Sequence, residues 1–120
     1  MALLRAGASR VALCDPDVAR VGAVVARLSA YWPGLVTGSA SPHLHGADLA
    51  VNATPLGLRE TDPLPFVPGD LPQGAVVADI VMTPAHTRLL AEAQAAGRAV
   101  HPGLPMLTHQ VESYLEFFGL

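Results

Sequence analysis

Short continuous apolar runs recur along the chain, each followed by turn-forming residues and then by a segment whose apolar residues sit at helical spacing. This alternation constrains the fold more than any other feature. A strand covered on both faces reads as an unbroken apolar run, and parallel strands need a helical crossover between them. The pattern therefore predicts an α/β chain of strand–helix–strand units around a parallel sheet.

The first run, residues 10–14, ends in Cys14 and is expected to be buried on both faces. Asp15 can cap a helix there, with Pro16 in its first turn. Val18, Val21, Val24, Val25 and Leu28 form one apolar stripe of a helix ending near Ser29. A short strand is expected at 35–37 and a buried one at 48–52, ending in the turn Ala53-Thr54-Pro55-Leu56-Gly57. Residues 60–73 are proline-rich and read as loop. A further buried strand is expected at 75–80, and Thr87 caps a helix running through Leu89, Leu90, Ala93 and Ala96 to a stop at Gly97. A short strand at 99–101 follows. A single helix at 105–118 puts Leu107, Val111, Leu115 and Phe118 on one face, the spacing of a helix docked on a core. The opening Ala2-Leu3-Leu4-Arg5-Ala6-Gly7-Ala8 reads as the end of a helix, so a segment is expected upstream of it.

At 120 residues, 51% of them hydrophobic, the chain has room for one core, and residues 1–120 are taken as a single partial domain. A charged fraction of 14% and a net charge of −3 leave no basic field for nucleic acid or an anionic membrane, so small molecules or proteins are the expected partners. No apolar run reaches the ~18 residues of a membrane span, and the start lacks the basic-then-apolar order of a secretory signal. A cytoplasmic location is expected. Cys14 is the only cysteine, which excludes an internal disulfide and reads as a small residue in a buried strand. His43-Leu44-His45 has the alternate spacing that could present two imidazoles together, but no third ligand is fixed nearby and the segment reads as a surface loop, with no metal site.

Three segments in order carry a family resemblance. Asn52-Ala53-Thr54-Pro55-Leu56-Gly57-Leu58 resembles the Asn-Ala-Thr-x-x-Gly-Met segment of shikimate dehydrogenases. Asp79-Ile80-Val81-Met82, continuing to Thr87-Arg88-Leu89-Leu90, resembles their Asp-x-x-Tyr…Thr-Pro-Leu-Leu stretch. Gly103-Leu104-Pro105-Met106-Leu107-Thr108-His109-Gln110 resembles their Gly-x-x-Met-Leu-x-x-Gln and is the most specific of the three. The chain is thus identified as similar to the C-terminal NAD(P)-binding domain of the shikimate/quinate dehydrogenase family. The resemblance implies a Rossmann-like three-layer parallel sheet with helices on both faces, here lacking its first strand and glycine-rich loop. It implies an oxidoreductase interconverting 3-dehydroshikimate or 3-dehydroquinate with shikimate or quinate, in aromatic amino-acid biosynthesis or quinate breakdown.

By that resemblance Asn52, Ala53 and Thr54 line the cofactor path over the strand ends, with Ile80 beside them. Gly103 and Met106 would lie against the nicotinamide, and Met82 and Gln110 would face the substrate. Each residue also has a plainer reading: Asn52 and Thr54 as a turn that satisfies its own backbone, Met106 as core packing, Gln110 as a solvated face. Asp15 stands where an acidic side chain can accept from a ribose 2′-hydroxyl and repel a 2′-phosphate, favouring NAD over NADP. The commoner family pattern there is Asn-Arg-Thr, and only Arg20 remains as a possible phosphate clamp. Met82 replaces the family's usual tyrosine, which leaves the substrate open.

The chain has no G-x-G-x-x-G after a strand and no lysine, so the pyrophosphate cradle and the family's catalytic lysine and aspartate, which belong to its N-terminal domain, are not supplied by these residues. No catalytic residue is assigned, and the chain alone is not expected to turn over substrate. The central strand of the usual 3-2-1-4-5-6 order is also missing. The 10–14 and 48–52 strands should then pair directly or recruit a partner, and self-association is expected. The alternative from another class is a non-catalytic Rossmann fragment or binding module. Methylene-tetrahydrofolate dehydrogenase and glutamyl-tRNA reductase share similar nucleotide domains, but the 103–110 segment argues against both.

Overall fold

A computed structural model describes residues 2–120 and divides the chain into two compact units, Met1–His43 and Leu44–Leu120. Each is an assembly of parallel strands and helices.

In the first unit, α1 (Ala2–Arg5) precedes β1 (Val11–Cys14), α2 (Val18–Ser29) and β2 (Val36–Ser39). β1 and β2 pair in parallel, Val11 opposite Val36 and Cys14 opposite Ser39, and α2 packs on the pair. Val21 and Val36 are buried and Val25 and Leu28 partly so, but Val18 and Val24 are exposed, so only part of the expected stripe of α2 meets the sheet. The cap is also displaced. Asp17, not Asp15, is the N-cap of α2, its carboxylate accepting from the Arg20 N–H at 3.0 Å. Asp15 instead accepts from the Asp17 N–H at 2.8 Å, so the two acidic residues satisfy the amides of Asp17 and Arg20, and Pro16 stays outside the helix.

β1 departs from the sequence reading on burial. Ala12 and Cys14 are exposed and Val11 and Leu13 only partly covered. Alternate residues of a strand point to opposite faces, and α2 packs on one face of the pair, so the other half of an all-apolar run is left in solvent. Cys14 is accordingly an exposed thiol rather than a buried core residue.

In the second unit the order is β3 (Leu49–Asn52), a 3-10 turn at Pro68–Asp70, β4 (Val76–Asp79), α3 (Arg88–Ala95), β5 (Ala99–His101), α4 (Leu104–Thr108) and α5 (Val111–Phe118). The three strands form a parallel sheet ordered β3-β4-β5, with Leu49 opposite Val76 and Val76 opposite Ala99. Ala50, Leu71, Ala75, Val77, Leu89, Leu90 and Ala93 make its core. α3 forms as expected: Thr87 caps it, and Gly97 at φ +76° takes the left-handed turn that ends it. The proline-rich loop is not idle, because Leu64, Phe66 and Leu71 pack on the core. The Arg98 guanidinium fastens that loop by donating to the carbonyls of Leu71 and Gly69.

Within its own unit β1 pairs with β2, and β3 pairs with β4. Each has one ladder neighbour among the described residues. On β3, Ala50 and Asn52 are buried while Leu49 and Val51 are exposed, the same one-sided cover seen on β1.

The C-terminal helix also departs from expectation. It is two helices, broken at His109 and Gln110, where the Gln110 N–H bonds back to the Leu107 carbonyl in a tightened turn. Leu107, Val111, Leu115 and Phe118 are 44% to 67% exposed, so the face expected to dock on a core is open. Leu90, 1% exposed, is part of the core. Leu90→Ala is therefore expected to lower stability by about 2–5 kcal/mol, and Leu115→Ala by less than about 0.5 kcal/mol, as urea midpoints at unchanged slope.

Candidate functional site

The carboxyl ends of β3 and β4 lie side by side, with Asn52 opposite Asp79, and both side chains are buried. A carboxylate in that position is costly unless donors surround it. Asp79 has three. Its Oδ1 accepts from Asn52 Nδ2 and from the Val81 N–H, each at 3.0 Å, and its Oδ2 accepts from the Thr87 hydroxyl at 2.7 Å. Thr87, also fully buried, accepts in turn from the Leu90 N–H at the start of α3.

Asn52 carries the network into the following turn. Its Nδ2 also donates to the Leu56 carbonyl at 2.8 Å, while its Oδ1 accepts from the Thr54 N–H at 3.1 Å and the Thr54 hydroxyl at 2.7 Å. The Thr54 hydroxyl accepts from the Leu56 N–H at 3.1 Å. Both side chains are thus engaged within the turn. Ala53 is exposed, and its N–H and carbonyl have no partner within the chain among the described residues.

Ile80 continues β4 and donates its N–H to the Asn52 carbonyl at 3.1 Å. Gly103 is buried against this segment: a Cβ there would stand 2.6 Å from the Ile80 carbonyl oxygen and 2.7 Å from that of Val81. The requirement for glycine at 103 is met inside the chain, by backbone packed on backbone. Met82 and Met106 are 38% and 46% exposed, so Met106 is not core packing. Gln110 is not one turn beyond Met106 on a continuous helix. It holds the N-cap position of α5, and its Oε1 accepts from the Tyr114 hydroxyl at 3.0 Å.

Beyond the turn, Asp62 Oδ2 accepts from the Gly57 N–H at 3.0 Å and the Arg59 N–H at 3.1 Å. These bonds, that from Arg59 foremost, hold its carboxyl below the ordinary carboxylate range. A cleft of about 550 Å³ opens between this loop and residues 83–88.

In the first unit, Asp15 and Arg20 meet at the end of β1. Arg20 Nη1 lies 3.4 Å from Asp15 and Nη2 lies 3.6 Å from Asp17, so one guanidinium sits between two carboxylates. Leu13, Cys14, Val21 and Val24 complete a shallow cleft of about 170 Å³ with them. Partial burial, and then the Asp15 charge, push the Cys14 thiol up from its ordinary value.

Asp79 and Thr87 stand in the second of the three segments that carry the family resemblance, but the sequence reading gave Asp79 no site role and Thr87 only that of a cap. The signals were their places in that segment and an acidic residue closing an apolar run. Nothing local ties it to Asn52, which lies 27 residues away.

Gly103→Ala forces Ile80 and Val81 to move and is expected to cost about 1–3 kcal/mol, read from the urea midpoint. Because the Asp62 carboxyl is depressed in the fold, its contribution is complete above the ordinary carboxylate range and is lost as pH falls through the folded value. Exchange at the Gly57 and Arg59 amides should exceed its intrinsic pH dependence only in that acid range, and Asp62→Asn should produce the same loosening at neutral pH.

No family model matches the chain. A shikimate dehydrogenase (NADP(+)) of Rhodospirillum rubrum is 41% identical over 98% of the chain, which spans 44% of that protein's length. Quinate dehydrogenase from Corynebacterium glutamicum in complex with NAD matches the fold with a TM-score of 0.85 at 30% identity, over 99% of this chain and 44% of its own. The 5-ketofructose reductase of a Gluconobacter species matches with a TM-score of 0.83 at 26% identity, over 97% of this chain and 44% of its own. The parallel α/β architecture is therefore Rossmann-like, as in these dehydrogenases. The chain thus aligns over nearly all of its length with somewhat less than half of proteins named as shikimate and quinate dehydrogenases, and is similar to that part of them.

Proposed function

We propose that the chain is the C-terminal, nicotinamide-cofactor-binding part of an oxidoreductase that interconverts a ring carbonyl and a ring hydroxyl of a small polyol acid of the shikimate or quinate type. The two compact units together then make one partial nucleotide-binding domain, working in the cytoplasm. The observation that carries this reading is the end of β3. There a buried polar network holds the turn rigid and leaves the Ala53 backbone exposed and unbonded, at the carboxyl edge where parallel sheets take their ligands.

The residues fit different parts of the cofactor. Asp15 suits a ribose hydroxyl, and the cleft beside it has the mixed apolar and polar lining that an adenosine needs. Ala53 offers a backbone donor and acceptor, with Ile80, Gly103 and Met106 forming the nicotinamide side. Asn52 and Thr54 serve by shaping the turn. Met82 and Gln110 face the substrate, Gln110 after releasing Tyr114. The nicotinamide, when bound, supplies or accepts the hydride. The proton of the same step is handled by groups outside this sequence, and the chain alone does not turn over.

Cofactor choice follows from charge. Around Arg20 two carboxylates face one guanidinium, and a 2′-phosphate placed there would meet net negative charge. NAD is the cofactor this favours, although the Rhodospirillum rubrum relative is named for NADP(+). Titration of the chain with NADH and NADPH, followed by nicotinamide fluorescence, should give NADH the lower Kd by about tenfold, roughly 1.4 kcal/mol. Asp15→Ala should narrow the gap. Tighter binding of NADPH would reverse the assignment, and binding of neither would remove the cofactor reading. The open edges of β1 and β3 should also make the free chain self-associate. A monodisperse monomer in analytical ultracentrifugation would count against that.

A further inference from the structure

We propose that Asp79 is a positioning residue of the cofactor turn: its single buried carboxylate fixes the Asn52–Gly57 turn, the Ile80–Met82 segment and the start of α3 in one arrangement, and through that arrangement sets the affinity for the nicotinamide cofactor. The inference rests on the cofactor reading given above and goes beyond it, because Asp79 and Thr87 touch no proposed ligand.

Three features carry it. Asp79 is 2% exposed, and both of its oxygens are taken by donors from three different segments: Asn52, Val81 and Thr87. The bond to Asn52 is the one that matters for the turn. With Nδ2 shared between Asp79 and the Leu56 carbonyl, and Oδ1 facing both donors of Thr54, the Asn52 side chain has one orientation that satisfies all its partners. Turning it to suit a changed residue 79 would break the turn. The bond from Val81 holds the segment between Ile80 and Met82, on which Gly103 packs from the other side. The bond from Thr87 ties the same carboxylate to the cap of α3. Bonds to a buried carboxylate are roughly twice as strong as those between neutral groups, and removing one partner leaves the others unsatisfied. No nearby cation is needed for this assignment, since all three donors are neutral.

Asp79→Asn keeps the size and shape of the side chain but places an amide where three donors converge. Thr87→Val removes one hydroxyl at constant shape, and Thr87→Ser restores it. With each variant held well below its own melting temperature, the Kd for NADH should rise about tenfold or more for Asp79→Asn and severalfold for Thr87→Val, while Thr87→Ser stays within about twofold of the parent. The companion measurement is amide hydrogen exchange on the free chain. In Asp79→Asn, protection should fall at Thr54, Leu56 and Val81. A loss confined to Leu90 and the rest of α3, or a melting temperature that falls while the Kd stays within about twofold, would make Asp79 a structural residue only and overturn the proposal. Should the parent chain bind no cofactor, the cofactor reading fails and takes the affinity claim with it. Exchange at Thr54 and Leu56 then decides separately whether Asp79 holds the turn.

Discussion

A buried carboxylate at the end of β4 is the constraint around which the second unit is arranged. Parallel strands leave their last carbonyls and the first amides of the next helix unpaired, and these groups collect at one edge of the sheet. At that edge Asp79 gathers three donors: the Val81 amide beyond its own strand, the Asn52 side chain from the neighbouring strand and the Thr87 hydroxyl at the head of α3. Among the described residues no buried side-chain nitrogen or oxygen lacks a partner, so the network is closed. A closed polar network in an apolar setting specifies one geometry, which an apolar cluster of the same volume does not.

In that geometry the polar side chains of the turn after β3 are occupied by partners within the chain. The family resemblance implies that Asn52 and Thr54 line a cofactor path, whereas a polar pair at a strand end reads by itself as a turn. Their side chains bond within the turn and, for Asn52, to Asp79, while the Ala53 backbone has no partner among the described residues. The same logic holds at Gly103, where the absent side chain admits the Ile80 and Val81 carbonyls. In both places backbone makes the contact, exposed at Ala53 and buried at Gly103.

Much of the secondary structure was legible because it depends on local pattern. The apolar runs that became β1, β3, β4 and β5, the Thr87 cap and the Gly97 stop are all written in neighbouring residues. The Asp79 network was not, since its members are 8 and 27 residues apart and only the parallel register brings them together. Burial was misread for a related reason. A continuous apolar run implies cover on both faces, yet Cys14, Leu49 and Val51 are exposed, because cover is a property of what packs against a strand and not of the strand. Leu107, Val111, Leu115 and Phe118 gave a true helical periodicity and a false expectation of docking on the same grounds.

Those exposed faces bear on the comparison with the dehydrogenases, of which the chain spans 44% of the length of the Rhodospirillum rubrum relative. A run such as Val11–Cys14 is apolar on both sides although only one side is covered, and α5 carries an apolar face with no buried residue on it. Scattered exposed apolar residues are ordinary, but apolar residues in strand and helix register on uncovered faces are the composition of a surface suited to contact. The Asp79 network is covered and closed. Its donors and acceptors are all matched within residues 52–90, so the geometry of the turn is set by this chain's own residues, whatever else the dehydrogenase fold brings to the exposed faces.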